Sequence, residues 1–157
     1  MASAKGALTS TDPSIADYQA IGVALGNIPA YSTNGLALLN DVVALQETTG
    51  VDTPAKIEAL ASIVSRILDT AAGNNASPSL TSADFAAIGI DGVTNDNLSA
   101  LIDGLAATDN SGSGVATLDA LQGVIDNAAA AYQAAINEFK AFDGSQSGSA
   151  VPDAQTY

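Results

Sequence analysis

The stretch richest in groups that do chemistry is Asp91-Gly92-Val93-Thr94-Asn95-Asp96-Asn97, which sets carboxylates, amides and a hydroxyl side by side. Oxygen ligands of this kind suit a hard cation such as calcium, with Asp91, Asn95 and Asp96 as the candidate ligands. The same residues have a plainer use. Gly92 suits a turn, Thr94 suits a helix N-cap, and acidic or amide side chains in a first turn complement the helix dipole. EF-hand spacing is absent, so calcium stands beside a reading of solvated caps, and no other cofactor is implied. Asp109-Asn110-Ser111-Gly112 has a similar composition and reads as a turn.

Acid–base catalysis would need carboxylates paired with a nucleophile or a second base. Asp41 with Glu47, and Asp119 with Asp126, are the nearest pairs, and their spacing predicts exposed helix faces with no such neighbour. Histidine, cysteine and tryptophan are all absent, which removes imidazole bases, thiolate nucleophiles and metal sites, and disulfides. No catalytic residue is predicted, and the chain does not read as an enzyme. Tyr18, Phe85, Tyr132 and Phe139 fall on apolar stripes and read as core. Tyr31 is different: it stands in a loop beside Pro29, where it is either a partner-binding contact or a ring folded back over its own helices.

Composition narrows the partners. Four basic residues against 17 acidic ones give a formal charge of -13, which repels nucleic acid and anionic lipid. Apolar residues make up 47% of the chain but aromatics only 4%, so much of the apolar content is alanine, a helix former that packs lightly. No window has the uninterrupted apolar length of a membrane span, and the opening residues do not read as a signal peptide. An exported protein would carry its signal outside this sequence.

The elements that must position these residues are helices. Residues 117–143 carry Leu118, Leu121, Ile125, Ala128, Tyr132, Ala135, Phe139 and Phe142 at alternating steps of three and four, the stripe of one long amphipathic helix. Thr117 supplies its N-cap and Gly144 its end. Upstream, Ser14 and Asp17 open a short helix burying Ile15, Tyr18 and Ile21. Ser32 or Thr33 caps a helix over residues 34–46 with Leu36, Leu39 and Val43 inward and Leu38 and Val42 as further inward candidates. Thr53-Pro54 starts another over 54–72, striped by Ile57, Leu60, Val64, Ile67 and Ala71. Gly73-Asn74-Asn75 ends it, and Thr94 caps a helix over 95–107.

The order of these signals repeats. Phe85-Ala86-Ala87-Ile88-Gly89-Ile90 parallels Tyr18-Gln19-Ala20-Ile21-Gly22-Val23. Leu98, Leu101, Asp103 and Leu105 match Leu36, Leu39, Asp41 and Val43, while Val115-Ala116-Thr117 matches Val51-Asp52-Thr53. Pro13, Pro78 and Pro152 stand at unit starts. The expected architecture is all-α, two consecutive three-helix bundle repeats: a linker over 1–12, one repeat over 13–76, a second over 77–143, then a linker and the start of a truncated third repeat over 144–157.

The pattern P-x-x-x-D-Y-x-x-x-G-V at 13–23, N-x-L-x-x-L/V at 34–43 and G-V-D-T-x-x-K-I-x-x-L at 50–60, recurring more loosely at 79–90, 97–105 and 114–121, resembles the tandem helical repeats of very large Gram-negative surface adhesins. Two features depart from the pattern: the inserted Gly26–Ser32 loop, and Ala116-Thr117-Leu118 in place of Asp52-Thr53-Pro54. The resemblance implies an extracellular, cell-surface location, a biofilm context and neighbouring repeats of the same polypeptide as partners. It implies a structural spacer; the alternative is a three-helix module that recognises a host or matrix protein.

Overall fold

The computed structural model describes residues 12–25 and 33–142. Every regular element among them is helical: α1 (Ile15–Ala20), α2 (Thr33–Leu45), α3 (Pro54–Ala71), α4 (Ser82–Ala87), α5 (Leu98–Ala106) and α6 (Leu118–Ala141), with 3-10 turns at Thr48–Gly50 and Ser113–Val115. The chain is all-α. The Tyr31 loop, the Gly144 stop and the stretches 1–11 and 143–157 lie outside the described residues.

The two short helices form because both ends are closed locally. At α1 the Asp17 amide donates to Ser14 Oγ and the Ser14 amide donates back to the Asp17 carboxylate at 2.8 Å; at α4 Thr81 and Asp84 repeat this reciprocal box, with the return bond again 2.8 Å. Both helices end on a glycine in the left-handed region, Gly22 at φ +85° and Gly89 at φ +80°, a conformation that costs other residues about 1–2 kcal/mol. Pro54 opens α3 as expected, but the Thr53 hydroxyl makes no cap bond. Lys56 instead ties this corner, donating to the Thr49 carbonyl at 2.6 Å and the Asp52 carboxylate at 2.7 Å. At α6 the Ala120 amide donates to Thr117 Oγ1 at 3.1 Å, the predicted cap.

The start of α5 corrects the sequence reading. Residues 95–97 form a turn rather than the first turn of a helix capped by Thr94, and the helix begins at Leu98. The Asn97 amide explains the delay: its Oδ1 accepts from the Thr94 amide at 2.8 Å and its Nδ2 donates to the Gly92 carbonyl at 2.9 Å, a local loop that competes with helical bonding.

Buried side chains from Tyr18 to Ile125 form one continuous cluster, so both sequence halves feed the same core. It is assembled by α2 against α3, α5 against α6, and α3 against α5. Phe85, Leu38, Leu39, Val42, Val64, Ile67, Leu101, Leu105, Leu121 and Ile125 are essentially sealed from solvent, each apolar side chain contributing roughly 1.5–3 kcal/mol of transfer free energy. A Cβ on Gly104 would stand 2.5 Å from Ala128 Cβ, so α5 and α6 approach across a position without a side chain. Tyr18 is buried and donates its hydroxyl to Asn40 Oδ1 at 2.6 Å; burial, helped by the charge of Asp12, pushes its phenol up to about 12.

Several stripe positions differ from expectation. In α2 Leu39 and the further candidates Leu38 and Val42 are sealed, while Leu36 and Val43 are only half-buried. Ile21 is 56% exposed. Along α6, burial at Leu118, Leu121 and Ile125 gives way to a half-buried Tyr132 and to Phe139 and Phe142, which stand 52% and 41% exposed. The periodicity continues to the end of α6 although the packing against α5 does not, because α5 is nine residues long and α6 is 24.

Candidate functional site

A shielded ion pair lies where the first half meets the second. Arg66, on α3, sends its guanidinium to α4: Nη1 donates to Asp84 Oδ2 at 2.9 Å, Nη2 to Asp84 Oδ1 at 2.6 Å, and Nη1 also to the Ser79 carbonyl at 3.2 Å. Two parallel bonds in a fork geometry are the strong form of a charge-assisted contact. Both side chains are largely shielded, at 11% and 17% exposure. The guanidinium, then the Thr81 hydroxyl and amide, hold the Asp84 carboxyl at about 2, against an ordinary 3.8, with partial burial opposing them. Arg66 Nε is buried without a hydrogen-bond partner, so two nitrogens carry all of the compensation.

Beside this pair runs a shallow groove of about 190 Å³ whose walls include Thr70, Asn74, Asn75, Leu80, Ile102 and Asp103. Thr70 is buried and returns its hydroxyl to the Arg66 carbonyl at 2.8 Å. The groove offers amides, hydroxyls and one carboxylate over an apolar floor. Its lining sets no nucleophile against a base, and its volume falls below the roughly 300–1,000 Å³ of small-molecule sites.

The other cross-half contacts tie helix ends. The Leu118 amide, at the start of α6, donates to Asp41 Oδ2 on α2 at 3.1 Å. Asp41 is therefore half-buried and engaged across the halves, not on the open face predicted for it. The Gln46 amide reaches the Ala87 carbonyl at 3.3 Å, and the Thr108 hydroxyl lies 3.4 Å from the Ala71 carbonyl. Sequence reasoning passed over Arg66 and Gln46; the only signal for Arg66 was a basic residue in a chain with four of them, set into an apolar helix.

The calcium candidates are placed apart in function. Asp91 is exposed and uses its backbone, donating its amide to Gln122 Oε1 at 2.9 Å and accepting from Gln122 Nε2 at 3.2 Å. Asn95 Oδ1 accepts from the Ser82 hydroxyl at 2.8 Å, and Asp96 is exposed. Among the described residues no group of three or more acidic side chains is close enough to share a metal ion. Asp109 gathers the Ser111 and Ser113 hydroxyls at 2.6 and 2.9 Å, which together with the Ser111 amide lower its carboxyl.

One further pair shows how the halves correspond. The Ala24 amide donates to Glu58 Oε1 on α3 at 2.6 Å, and the Asp91 amide donates to Gln122 Oε1 on α6 at 2.9 Å: the fourth residue past each short helix is tied to the second turn of each long one. Among the described residues no helix is long and apolar enough to cross a membrane. No protein family, curated protein or solved structure matches this chain.

Proposed function

We propose that the chain is a spacer segment, without catalysis, of a long repetitive cell-surface protein of the Gram-negative adhesin type, built from two three-helix repeats and joined to neighbouring repeats of the same polypeptide. The observation that carries this reading is the duplicated hydrogen-bond scheme: capping box, left-handed glycine and tie to the second turn of the long helix occur in the same order at Ser14–Glu58 and Thr81–Gln122. Repetition of one locally specified unit is how quasi-one-dimensional proteins reach length. Exposed carboxylates throughout, among them Asp17, Glu47, Asp52, Asp91, Asp103, Asp119 and Asp126, suit a segment held at high local density on a cell exterior.

The test is small-angle X-ray scattering on concatemers of one, two and three copies, in calcium and then in chelator. A spacer lengthens by a constant increment per copy, unchanged by chelation. Growth as a compact particle would sink the reading, and length that depends on calcium would return Asp91, Asn95 and Asp96 to the position of ligands.

The second reading, a module that recognises a host or matrix protein, has one observation in its favour: the half-exposed rings of Phe139 and Phe142, about one turn apart at the end of α6. Cells displaying the chain would then adhere to matrix-coated surfaces, and Phe139→Ser with Phe142→Ser would abolish that adhesion.

A further inference from the structure

The turns that close α1 and α4 are the same structure with different neighbours. In the first, the Gly22 amide donates to the Gln19 carbonyl at 3.0 Å and the Val23 amide to the Tyr18 carbonyl at 3.0 Å; in the second, Gly89 donates to Ala86 at 3.1 Å and Ile90 to Phe85 at 2.9 Å. Tyr18 and Phe85 are buried alike, as are Val23 and Ile90. The residue between them is not. Ile88 is sealed, whereas Ile21 is 56% exposed.

What occupies the second turn is the C-terminal end of α2. Leu45 Cδ2 lies over Gly89, inside the space that a Cβ there would take, and the Gln46 amide donates to the Ala87 carbonyl at 3.3 Å. Around the first turn, among the described residues, nothing stands within 4 Å of a Cβ built on Gly22, and Ile21 beside it keeps its 56% exposure. A left-handed glycine without a side chain, an apolar isoleucine and a helix-terminal carbonyl form a seat for one apolar side chain and one amide donor.

We propose that the α1 turn, Ala20–Gly22, is the docking seat for the α2 end of a preceding helical unit, whose leucine fills the space over Gly22 and whose glutamine amide donates to the Ala20 carbonyl. This rests on the spacer reading and deepens it by naming the joint. The occupant follows from the chain itself, because Leu45 and Gln46 already make this contact one unit downstream. The contact is heterologous, running from the first half to the second without reciprocation, and a contact of that kind propagates along an array. The occupant must be a unit of the first kind. The matching end of α5 carries Ala107 and Thr108, and the Thr108 hydroxyl is committed to the Leu105 carbonyl at 2.7 Å.

The sequence has no tryptophan, so Ile21→Trp places a single reporter in the seat. The experiment joins an added copy of residues 12–79 ahead of the full chain and compares it with the full chain alone. In the full chain the reporter emits as a solvated indole. In the extended chain its emission shifts to the blue and acrylamide quenching falls several-fold, and Leu45→Ala with Gln46→Ala in the added copy alone restores the solvated signal. Without the reporter, the Ile21 methyl of the extended chain loses most of its relaxation by a soluble paramagnet. An Ile21 that stays solvated by both measurements, whether or not the added copy gains helicity, overturns the proposal. The spacer reading is judged separately: constant lengthening of concatemers with a solvated Ile21 leaves the spacer and removes this joint, and compact growth with a buried Ile21 does the reverse.

Discussion

The caps of α1 and α4 are the same box in the same order, Ser14 with Asp17 and Thr81 with Asp84, yet among the described residues only the second has its carboxylate and its closing turn covered by the other half. Asp17 and Asp84 each close a reciprocal box with the residue three positions back; the box lowers the Asp17 carboxyl, and Arg66 first and then the box lower that of Asp84. Asp84 is also clamped by Arg66, and the turn that follows it is covered by Leu45 and Gln46, whereas Asp17 is exposed and, among the described residues, nothing stands within 4 Å of a Cβ built on Gly22. All three of those contacts come from the first half. The helical unit is therefore specified twice by local chemistry, and among the described residues it is the α4 box and turn that the other half covers, while the return contacts, from the start of α6 to Asp41 and from Thr108 to Ala71, tie helix ends.

The largest way to break that comparison is to break the shared core. Ile125→Asp puts a carboxylate among sealed side chains of α6 and should cost well over about 4 kcal/mol. Because the buried residues of both halves form one cluster, the loss of helicity by circular dichroism should involve the whole chain in a single transition. If about half of the helicity melts unshifted, the halves are independent and the Arg66 joint is incidental.

Next in size is the clamp itself. Arg66→Ala leaves Asp84 shielded without its cation and should cost about 2 kcal/mol, a fall in melting temperature on the order of 5 °C. Asp17→Asn removes a fully solvated charge from an equivalent box and should shift the melt far less than Asp84→Asn. Acid sharpens the contrast. With its carboxyl lowered from 3.8 to about 2 in the folded chain, Asp84 contributes its full stabilisation above roughly pH 4, and loses it as pH falls through 2. The unfolding free energy of the native chain should drop across that window, and the drop should shrink in Asp84→Asn. An unchanged slope would mean that other carboxylates govern acid unfolding.

What was legible in the sequence is what the chain settles locally. Ser14 with Asp17, Thr81 with Asp84, Pro54, Thr117 and the turn glycines act within four residues, and the buried stripe of α3 is as its periodicity predicts. What was not legible depends on partners distant in the chain. Asp41 looks like a solvated helix residue until the start of α6 arrives beside it, and Arg66 looks like a solubilising charge until α4 folds against α3. The α5 boundary failed for another reason, since Thr94 and Asn97 are both credible caps and the choice rests on whether the Asn97 amide closes on Gly92. Phe139 failed because a stripe records only what a helix can bury.

The smallest effect is the most direct measure of the asymmetry. Gly22 and Gly89 have nearly equal positive φ, so alanine at either should cost about 1 kcal/mol in backbone strain. At Gly22 that is the whole cost, since a methyl there meets nothing among the described residues. At Gly89 the methyl must also displace Leu45, the end of a flexible side chain that is 47% exposed and able to turn away, which adds a few tenths of a kcal/mol and frees Gln46 from Ala87. Gly89→Ala should therefore melt slightly below Gly22→Ala, and Leu45→Ala in the Gly89→Ala background should remove the difference. Equal costs with Leu45 intact would mean that α2 rests on the α4 turn without holding it.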